Sequence, residues 1–206
     1  METLKKILAL ICFSLILNTG IAQNTSSIQA AFSKSYVSEQ AGNYSAAIND
    51  LNNIYNEKDY IINIRLGWLY YLSKKYNESI KYYDIAIALK PYAIEARFGC
   101  IKPLSAIENW EKVKVHYQQI LKIDAQNTTA NYWLGVIYYN KKDYASACKH
   151  FEKNVNLYPL DYNSTIMLAW SKLNAGKSAD AKLMFHQSLI IRPNDASALA
   201  GLKQIK

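Results

Sequence analysis

Proline and glycine are scarce in this chain, whose 206 residues include four Pro and seven Gly. An all-β fold with many tight turns relies on both residue types. Their scarcity therefore argues against such a fold. Tyrosine is abundant by contrast, with seventeen residues, and large aromatic side chains suit helices that pack against one another over wide contacts.

The chain also lacks a long apolar run near its N-terminus. Ile7 to Leu17 is eleven residues long, whereas a membrane-spanning helix needs about 20. Lys5 and Lys6 precede this run, and the small residues of Gly20-Ile21-Ala22 follow it. A basic head, a short apolar run and small residues before the cut are typical of a secretory signal peptide. The pattern predicts cleavage before Gln23.

We therefore expect residues 1–22 to be a signal peptide, residues 23–27 to be a linker, and the mature protein to be exported to the periplasm or secreted. An uncleaved N-terminal anchor is the alternative. Removing Glu2, Lys5 and Lys6 with the leader lowers the formal charge from +8 to +7. This excess is modest and spread along the chain, which argues against nucleic acid as a partner.

Helical spacing is clearest between residues 131 and 159. Leu134 and Tyr138 lie four residues apart and share one helical face, as do Ala147 and Phe151. Gly135 is small where two such helices would touch. The full pattern is Asn131-x2-Leu134-Gly135-x2-Tyr138, then Ala147-x3-Phe151, then Pro159.

This pattern resembles the tetratricopeptide repeat, a helix hairpin of about 34 residues that reads W-x2-L-G-x2-Y…A-x3-F…P. Asn131 replaces the opening Trp. Related segments recur, and the predicted second helices begin 32, 34, 34 and 34 residues apart, at Tyr44, Tyr76, Trp110, Tyr144 and Ser178. The predicted repeats span 28–59, 60–93, 94–127, 128–161 and 162–195, and a capping helix covers 196–206, with Asp195 as its N-cap.

The resemblance implies an all-α fold, a right-handed superhelical solenoid of about five hairpins with a C-terminal capping helix. Pro103 falls inside the first helix of the third hairpin, and we expect it to kink or break that helix. Cys100 and Cys148 fall on helices separated by two others, beyond the roughly 7 Å between Cα atoms that a disulfide tolerates. We expect both to be buried apolar residues.

The sequence lacks the common motifs of metal-binding, catalytic and nucleotide-binding sites. The sequence contains no H-x3-H or H-E-x-x-H pair, no cysteine pair with metal-ligand spacing, and no G-x-S-x-G, P-loop or G-x-G-x-x-G motif. His116 and His150 occupy equivalent repeat positions, so we interpret them as structural, and His186 likewise. Cys148 and His150 are two apart on one helix and face different ways. We expect neither catalysis nor a cofactor.

Binding is the remaining class of function. In tetratricopeptide folds the first helices of the hairpins line a concave groove, and here that face is aromatic and nearly uncharged. We expect about half of the large apolar side chains to be core instead. The candidate partner-binding residues are Phe32, Tyr36, Trp68, Tyr71, Phe98, Lys102, Tyr132, Tyr139 and Trp170, with Ile64, Val136, Ile166 and Leu173 beside them.

These residues predict a non-catalytic scaffold of the cell envelope that binds a protein or peptide partner. A glycan- or cell-wall-binding module and an accessory subunit of an envelope assembly are the alternatives. Lysines also recur at the predicted hairpin tips, where they offer contact with an anionic membrane or cell-wall surface. These lysines are Lys74, Lys75, Lys141, Lys142 and Lys177.

Overall fold

The structure is a computed structural model that describes residues 25–205, and all regular structure in that range is helical. The predicted signal peptide and Lys206 lie outside the described residues. Helix α1 is described over residues 25–40. The others are α2 (Tyr44–Asn52), α3 (Tyr60–Leu72), α4 (Tyr76–Leu89), α5 (Glu95–Ala106), α6 (Trp110–Ile123), α7 (Thr128–Asn140), α8 (Tyr144–Leu157), α9 (Tyr162–Asn174), α10 (Ser178–Ile191) and α11 (Ala196–Gln204).

Short polar side chains start most of these helices. Asp59, Asn127, Asp161 and Asp195 precede α3, α7, α9 and α11, and each accepts a hydrogen bond from a backbone N–H of the first turn. An N-cap of this kind satisfies N–H groups that have no partner within the helix. The last three caps are spaced by 34 residues, so the sequence repeat is also a repeat of helix starts.

A left-handed residue turns the chain inside each hairpin. The φ angles of these residues lie between 57° and 77°, a region that glycine enters freely and other residues enter at a cost. Two of the five are glycine, and the other three are Lys or Glu. The residues are Gly42, Lys74, Glu108, Lys142 and Gly176.

An aromatic ring in the middle of each later second helix fills the core. Tyr83, Tyr117, Phe151 and Phe185 are 34 residues apart and all buried. Glycines on first helices and on α11 make room for three of these rings. An added Cβ would stand 2.7 Å from the Phe151 ring at Gly135, and 2.1 Å from the Phe185 ring at Gly201. For Tyr83 the distances would be 3.0 Å at Gly67 and 2.2 Å at Gly99.

The described residues divide into two compact units, 25–107 and 108–205. The division falls in the turn between α5 and α6, inside the third predicted hairpin. In the first unit, α3 packs on α2, α4 and α5. In the second, α9 packs on α8, α10 and α11, and α7 on α8.

The predicted fold class is confirmed, since the described residues form helix hairpins and no strand. All five second helices begin at the predicted residues. Helix α11 packs against α9 and α10, as expected for a capping helix, and Asp195 accepts a hydrogen bond from the N–H of Ala198. The residues at which each repeat begins and ends stay a prediction.

Pro103 does not break its helix, so that part of the expectation was wrong, and a kink at this position stays a prediction. Helix α5 runs without interruption to Ala106, three residues beyond the proline. A proline removes the hydrogen bond to the carbonyl four residues earlier. Because Pro103 lies in the last turns of α5, the helix loses this bond close to its own end. Cys100 and Cys148 are buried as predicted, and neither forms a disulfide.

Candidate functional site

A partly buried ion pair joins α1 to α3 on the first-helix face of the first unit. The guanidinium of Arg65 on α3 pairs with the carboxylate of Glu39 on α1. Its Nη2 also donates a hydrogen bond of 3.3 Å to the hydroxyl of Ser35, which is fully buried. A buried charge is tolerated when it is paired and hydrogen-bonded in this way. The pair therefore fixes α1 against α3.

Aromatic rings surround this ion pair. The ring of Tyr36 lies over the guanidinium of Arg65, with 3.8 Å from the carbon of that group to the ring centroid. Tyr36 nevertheless keeps 51% of its surface exposed. Arginine binds the face of an aromatic ring through its charge and its flat shape. One side of Tyr36 is thus occupied inside the protein and the other is open to a partner.

Trp68 is held by the same carboxylate. Its Nε1 donates a hydrogen bond of 2.7 Å to Oε1 of Glu39. The ammonium of Lys102 lies 5.4 Å from the Trp68 ring, and the ring of Tyr71 lies 5.7 Å from it. Trp68 and Tyr71 are half-buried and Lys102 is exposed. We call Tyr36, Trp68, Tyr71 and Lys102 the aromatic–lysine face.

The aromatic–lysine face also contains an ion pair, which its description as nearly uncharged leaves out. Neither Arg65 nor Glu39 was predicted from the sequence. One signal pointed to Arg65, because it is the one charged residue of α3, whose sequence is YIINIRLGWLYYL. Nothing comparable marked Glu39, which stands on a helix with other polar residues.

The other predicted groove residues of this unit are Phe32, Phe98 and Ile64. Phe32 packs against the core formed by Ala47, Leu51 and their neighbours. Phe98 and Ile64 are half-buried. Phe32 therefore contributes mainly to packing, in line with the expectation that some groove candidates are core.

The first-helix face of the second unit is tied into its own packing. The indole of Trp170 donates a hydrogen bond of 2.8 Å to the Ser197 hydroxyl and meets the Phe185 ring edge-on. The hydroxyl of Tyr139 accepts a hydrogen bond of 3.1 Å from the Asn174 amide. Trp170 and Tyr139 belong to the predicted face, and Phe185 belongs to the core. Ile166 is buried, and Val136 and Leu173 are half-buried.

A separate cavity of about 210 Å³ lies near the starts of α7 and α9 in the second unit. The indole of Trp133 is 46% exposed there. The ring of Tyr132 stands 5.5 Å from it, centroid to centroid, and the two ring planes meet at 83°. Tyr132 was predicted as a residue of the concave groove, whereas Trp133, which occupies no motif position, was not predicted at any site. The lining consists of Thr128, Thr129, Tyr132, Trp133, Asn154, Asp161 and Asn163.

His150 belongs to the packing of the fourth hairpin, as predicted for the histidines. Its Nδ1 lies 3.0 Å from Oδ1 of Asn131, and its ring stacks on Tyr138. Burial, with smaller contributions from Lys153 and Lys149, lowers the pKa of His150 to about 4. The ring is therefore neutral at pH 7. Burial also raises the pKa of the Cys148 thiol, which opposes the thiolate that a nucleophile needs.

The lysines at the hairpin tips are exposed, as expected of turns. Lys74 and Lys142 are the left-handed residues of their turns, and Lys141 pairs with Glu111. These contacts give the predicted cell-wall or anionic-surface role no support. Within residues 25–205, no helix is both long enough and apolar enough to cross a membrane.

Comparison with known proteins identifies the repeat. Residues 129–161 and 61–92 each match a family model described as tetratricopeptide repeat. A search of curated protein sequences finds no match. These two matches cover the fourth and second predicted hairpins, the two whose first helices carry Leu-Gly.

Solved structures resemble the chain over most of its length. A crystal structure of MamA has a TM-score of 0.69 at 15% identity, covering 81% of this chain and 92% of that one. A repeat protein from Parabacteroides merdae has a TM-score of 0.72 at 18% identity, covering 87% and 72%. YrrB, described as having an unusual peptide-binding site, has a TM-score of 0.68 at 13% identity, covering 87% and 97%. At such identities the similarity shows the fold alone.

Proposed function

Because the chain is a tetratricopeptide repeat protein, we propose that it is a non-catalytic scaffold whose aromatic–lysine face binds an extended or helical segment of a partner protein. The family supports the general class, since these repeats serve as interaction scaffolds and are generally not enzymes. The choice of face rests on residues of the first unit.

The observation that carries the proposal is the fixed position of Trp68. Its indole N–H is bound to Glu39, and Glu39 is in turn held by Arg65. An aromatic anchor that is already oriented loses little conformational entropy when a partner binds. Trp68 and its neighbours Tyr36 and Tyr71 thus have the properties of binding hot spots.

The charge of this face favours an acidic partner segment. Glu39 neutralises the charge of Arg65 in the partly buried pair, which leaves the ammonium of Lys102 as the exposed charge beside Trp68. A segment with an apolar or aromatic side chain for Trp68 and a carboxylate for Lys102 complements both groups. Electrostatic complementarity of this kind selects partners as well as speeding association.

Site-specific photo-crosslinking tests the proposal. Benzoylphenylalanine replaces Tyr71 in one variant and, as a control, exposed Ala88 on α4 in another. We expect the Tyr71 variant to crosslink a partner peptide that contains Asp or Glu, and the Ala88 variant not to. Lys102→Glu should then reduce crosslinking at least five-fold, whereas Lys81→Glu on α4 should leave it unchanged.

Two results would reject this assignment. If Lys102→Glu and Lys81→Glu behave alike, the charge at Lys102 plays no part in recognition. If the product at Tyr71 is a glycan, the glycan-binding alternative replaces the peptide scaffold. A stable multi-subunit product instead supports an accessory subunit of an envelope assembly that uses the same face.

We also propose that this scaffold works outside the cytoplasm, in the cell envelope. Support comes from Lys5, Lys6 and the apolar run from Ile7 to Leu17, a pattern typical of signal peptides. N-terminal sequencing of the exported protein should start at Gln23. Retention of Met1 in that fraction would contradict cleavage and favour the N-terminal anchor.

A further inference from the structure

The cavity beside Trp133 contains more hydrogen-bond acceptors than its own residues satisfy. Asn154 is 2% exposed and forms part of the cavity lining. Its Nδ2 donates to the carbonyl of Thr128 at 2.9 Å and to the hydroxyl of Ser164 at 3.2 Å. Its Oδ1 has no hydrogen-bond partner among the described residues. A buried acceptor without a donor costs free energy, so a ligand that brings an N–H group is favoured here.

The second acceptor is the carboxylate of Asp161. Oδ1 caps α9 by accepting from the N–H of Asn163 at 3.2 Å, and Oδ2 accepts from the hydroxyl of Ser164 at 2.5 Å. A carboxylate accepts about four hydrogen bonds, so lone pairs remain for a ligand. The described residues that line the cavity include no Lys or Arg. Asp161 therefore gives the lining of this cavity a formal negative charge.

Two aromatic rings form a corner beside these acceptors. The planes of Tyr132 and Trp133 meet at 83°, and both rings line the cavity. The ring of Tyr132 also packs against the ring of Phe151, and the two ring centroids are 5.8 Å apart. Burial and the charge of Asp161 raise the pKa of the Tyr132 hydroxyl, which keeps that hydroxyl neutral. The electron-rich faces of Trp and Tyr attract cations.

We propose that this cavity is a binding site for a protonated amine or guanidinium group. The cation lies against the Trp133 indole, and its N–H groups donate to the Asp161 carboxylate and to Oδ1 of Asn154. A lysine or arginine side chain of a partner protein and a free polyamine both carry this chemistry. The site lies in the second unit and is independent of the aromatic–lysine face.

Nuclear magnetic resonance of the full chain tests the proposal. The probes are acetyl-Gly-Lys-Gly-amide and its neutral counterpart acetyl-Gly-Gln-Gly-amide, and the readout is the indole N–H signal of Trp133. Trp110 is the internal reference, because it is exposed, lies in the same unit and does not line the cavity. We expect the lysine peptide to shift the Trp133 signal to saturation and to leave Trp110 in place, and the glutamine peptide to shift neither.

Asp161→Asn removes the charge and keeps a side chain that caps helices well, so α9 should still begin at Tyr162. We expect this variant to bind the lysine peptide at least ten-fold more weakly. Circular dichroism checks that its fold is retained. Asp143→Asn is the matched control, because Asp143 caps α8 in the same way outside the cavity. It should bind like the parent.

Spermidine separates the two sources of the cation. Tighter binding of spermidine than of the lysine peptide assigns the site to free polyamines, and the reverse assigns it to a partner chain. Equal shifts from the glutamine peptide would overturn the proposal. So would unchanged affinity in Asp161→Asn, or a Trp133 shift from neutral chitobiose larger than that from either amine, which would make the cavity a sugar site.

Discussion

The buried amide of Asn131 joins a loop to a helix, because its Oδ1 lies 3.0 Å from Nδ1 of His150 while its Nδ2 donates to the carbonyls of Asn127 and Ala125. Asn131 stands where the repeat pattern has Trp. Asn63 holds the same position two repeats earlier, and its Nδ2 likewise donates to the carbonyls four and six residues before it. In the third hairpin, Arg97 donates to the carbonyl of Pro91, six residues before it.

Replacing Asn131 should therefore loosen the loop before α7. Asn131→Ala removes a side-chain donor from two carbonyls and the partner from half-buried His150, although the carbonyl of Asn127 keeps the backbone N–H of residue 131. A buried polar group left unsatisfied costs about 1–3 kcal/mol, so we expect the free energy of unfolding to fall by about 1–3 kcal/mol. Urea denaturation measures this change. Exposed Asn140→Ala on the same helix should lie within about 0.5 kcal/mol of the parent, and an equal loss in both would refute the role of Asn131.

The pKa of His150 predicts a loss of stability in weak acid. The folded pKa is about 4, below the ordinary 6.5, so the unfolded chain takes up a proton at higher pH than the folded one. The stability that His150 contributes is therefore complete above pH 6.5 and is lost as the pH falls toward 4. Urea midpoints measured between pH 7 and pH 4 should fall less steeply for His150→Gln than for the parent.

Carboxylates complicate the lower end of this pH range, because Glu111, Asp143 and Asp195 have lowered pKa values and lose their contacts in stronger acid. The comparison between variants removes that shared background. His186→Gln is the control, since His186 is exposed on α10, and it should retain the slope of the parent. A parental slope in His150→Gln as well would show that this ring is not the titrating group.

The contact between Phe185 and Gly201 predicts that the capping helix does not tolerate a side chain at that position. A Cβ there would stand 2.1 Å from the ring, so Gly201→Ala forces α11 away from α10. Overpacking of this kind costs about 1–3 kcal/mol, and thermal melting monitored by circular dichroism should show it. Combining Gly201→Ala with Phe185→Leu should recover part of the loss. If Gly201→Ala melts like exposed Ala200→Ser, α11 does not pack closely on α10.

The left-handed turns offer two stabilising changes. Lys74 has φ of 59° and Lys142 has φ of 61°, and a side chain costs about 1–2 kcal/mol in that region. Lys74→Gly and Lys142→Gly should each raise the free energy of unfolding by up to about 1 kcal/mol, because glycine also loses more entropy on folding. Gly176→Ala, at φ of 77°, should lower it by a similar amount. The turn assignment would be refuted if chemical denaturation showed that the Lys→Gly variants are less stable than the parent and Gly176→Ala is more stable.

The repeat positions were predictable from sequence because they are set by local requirements. A small residue at Ala147 and a large ring at Phe151 are needed wherever two helices meet, and both are buried as predicted. The hairpin repeat therefore locates the second helices to the residue. The break expected at Pro103 does not occur, because α5 continues to Ala106 despite the one hydrogen bond that a proline removes.

The candidate sites were less predictable, because they depend on contacts between distant residues. Glu39 and Arg65 form their pair only when α1 lies beside α3, and the sequence pattern carries no sign of that partner. Trp133 faces a cavity made by three helices and lies outside the motif. The division between residues 107 and 108 has no counterpart in the sequence pattern, which runs through the third hairpin.

The ring of Tyr83 couples the stability of α3 to that of α5 in the first unit. It fills the space left by Gly67 on its own hairpin and by Gly99 on the next helix. In a one-dimensional description of repeat folding, the stability within a repeat and the coupling to its neighbour are separate quantities. Here a single side chain contributes to both. Helices α3 and α5 should therefore open together, and in native-state hydrogen exchange their central amide protons should exchange with the same free energy of opening.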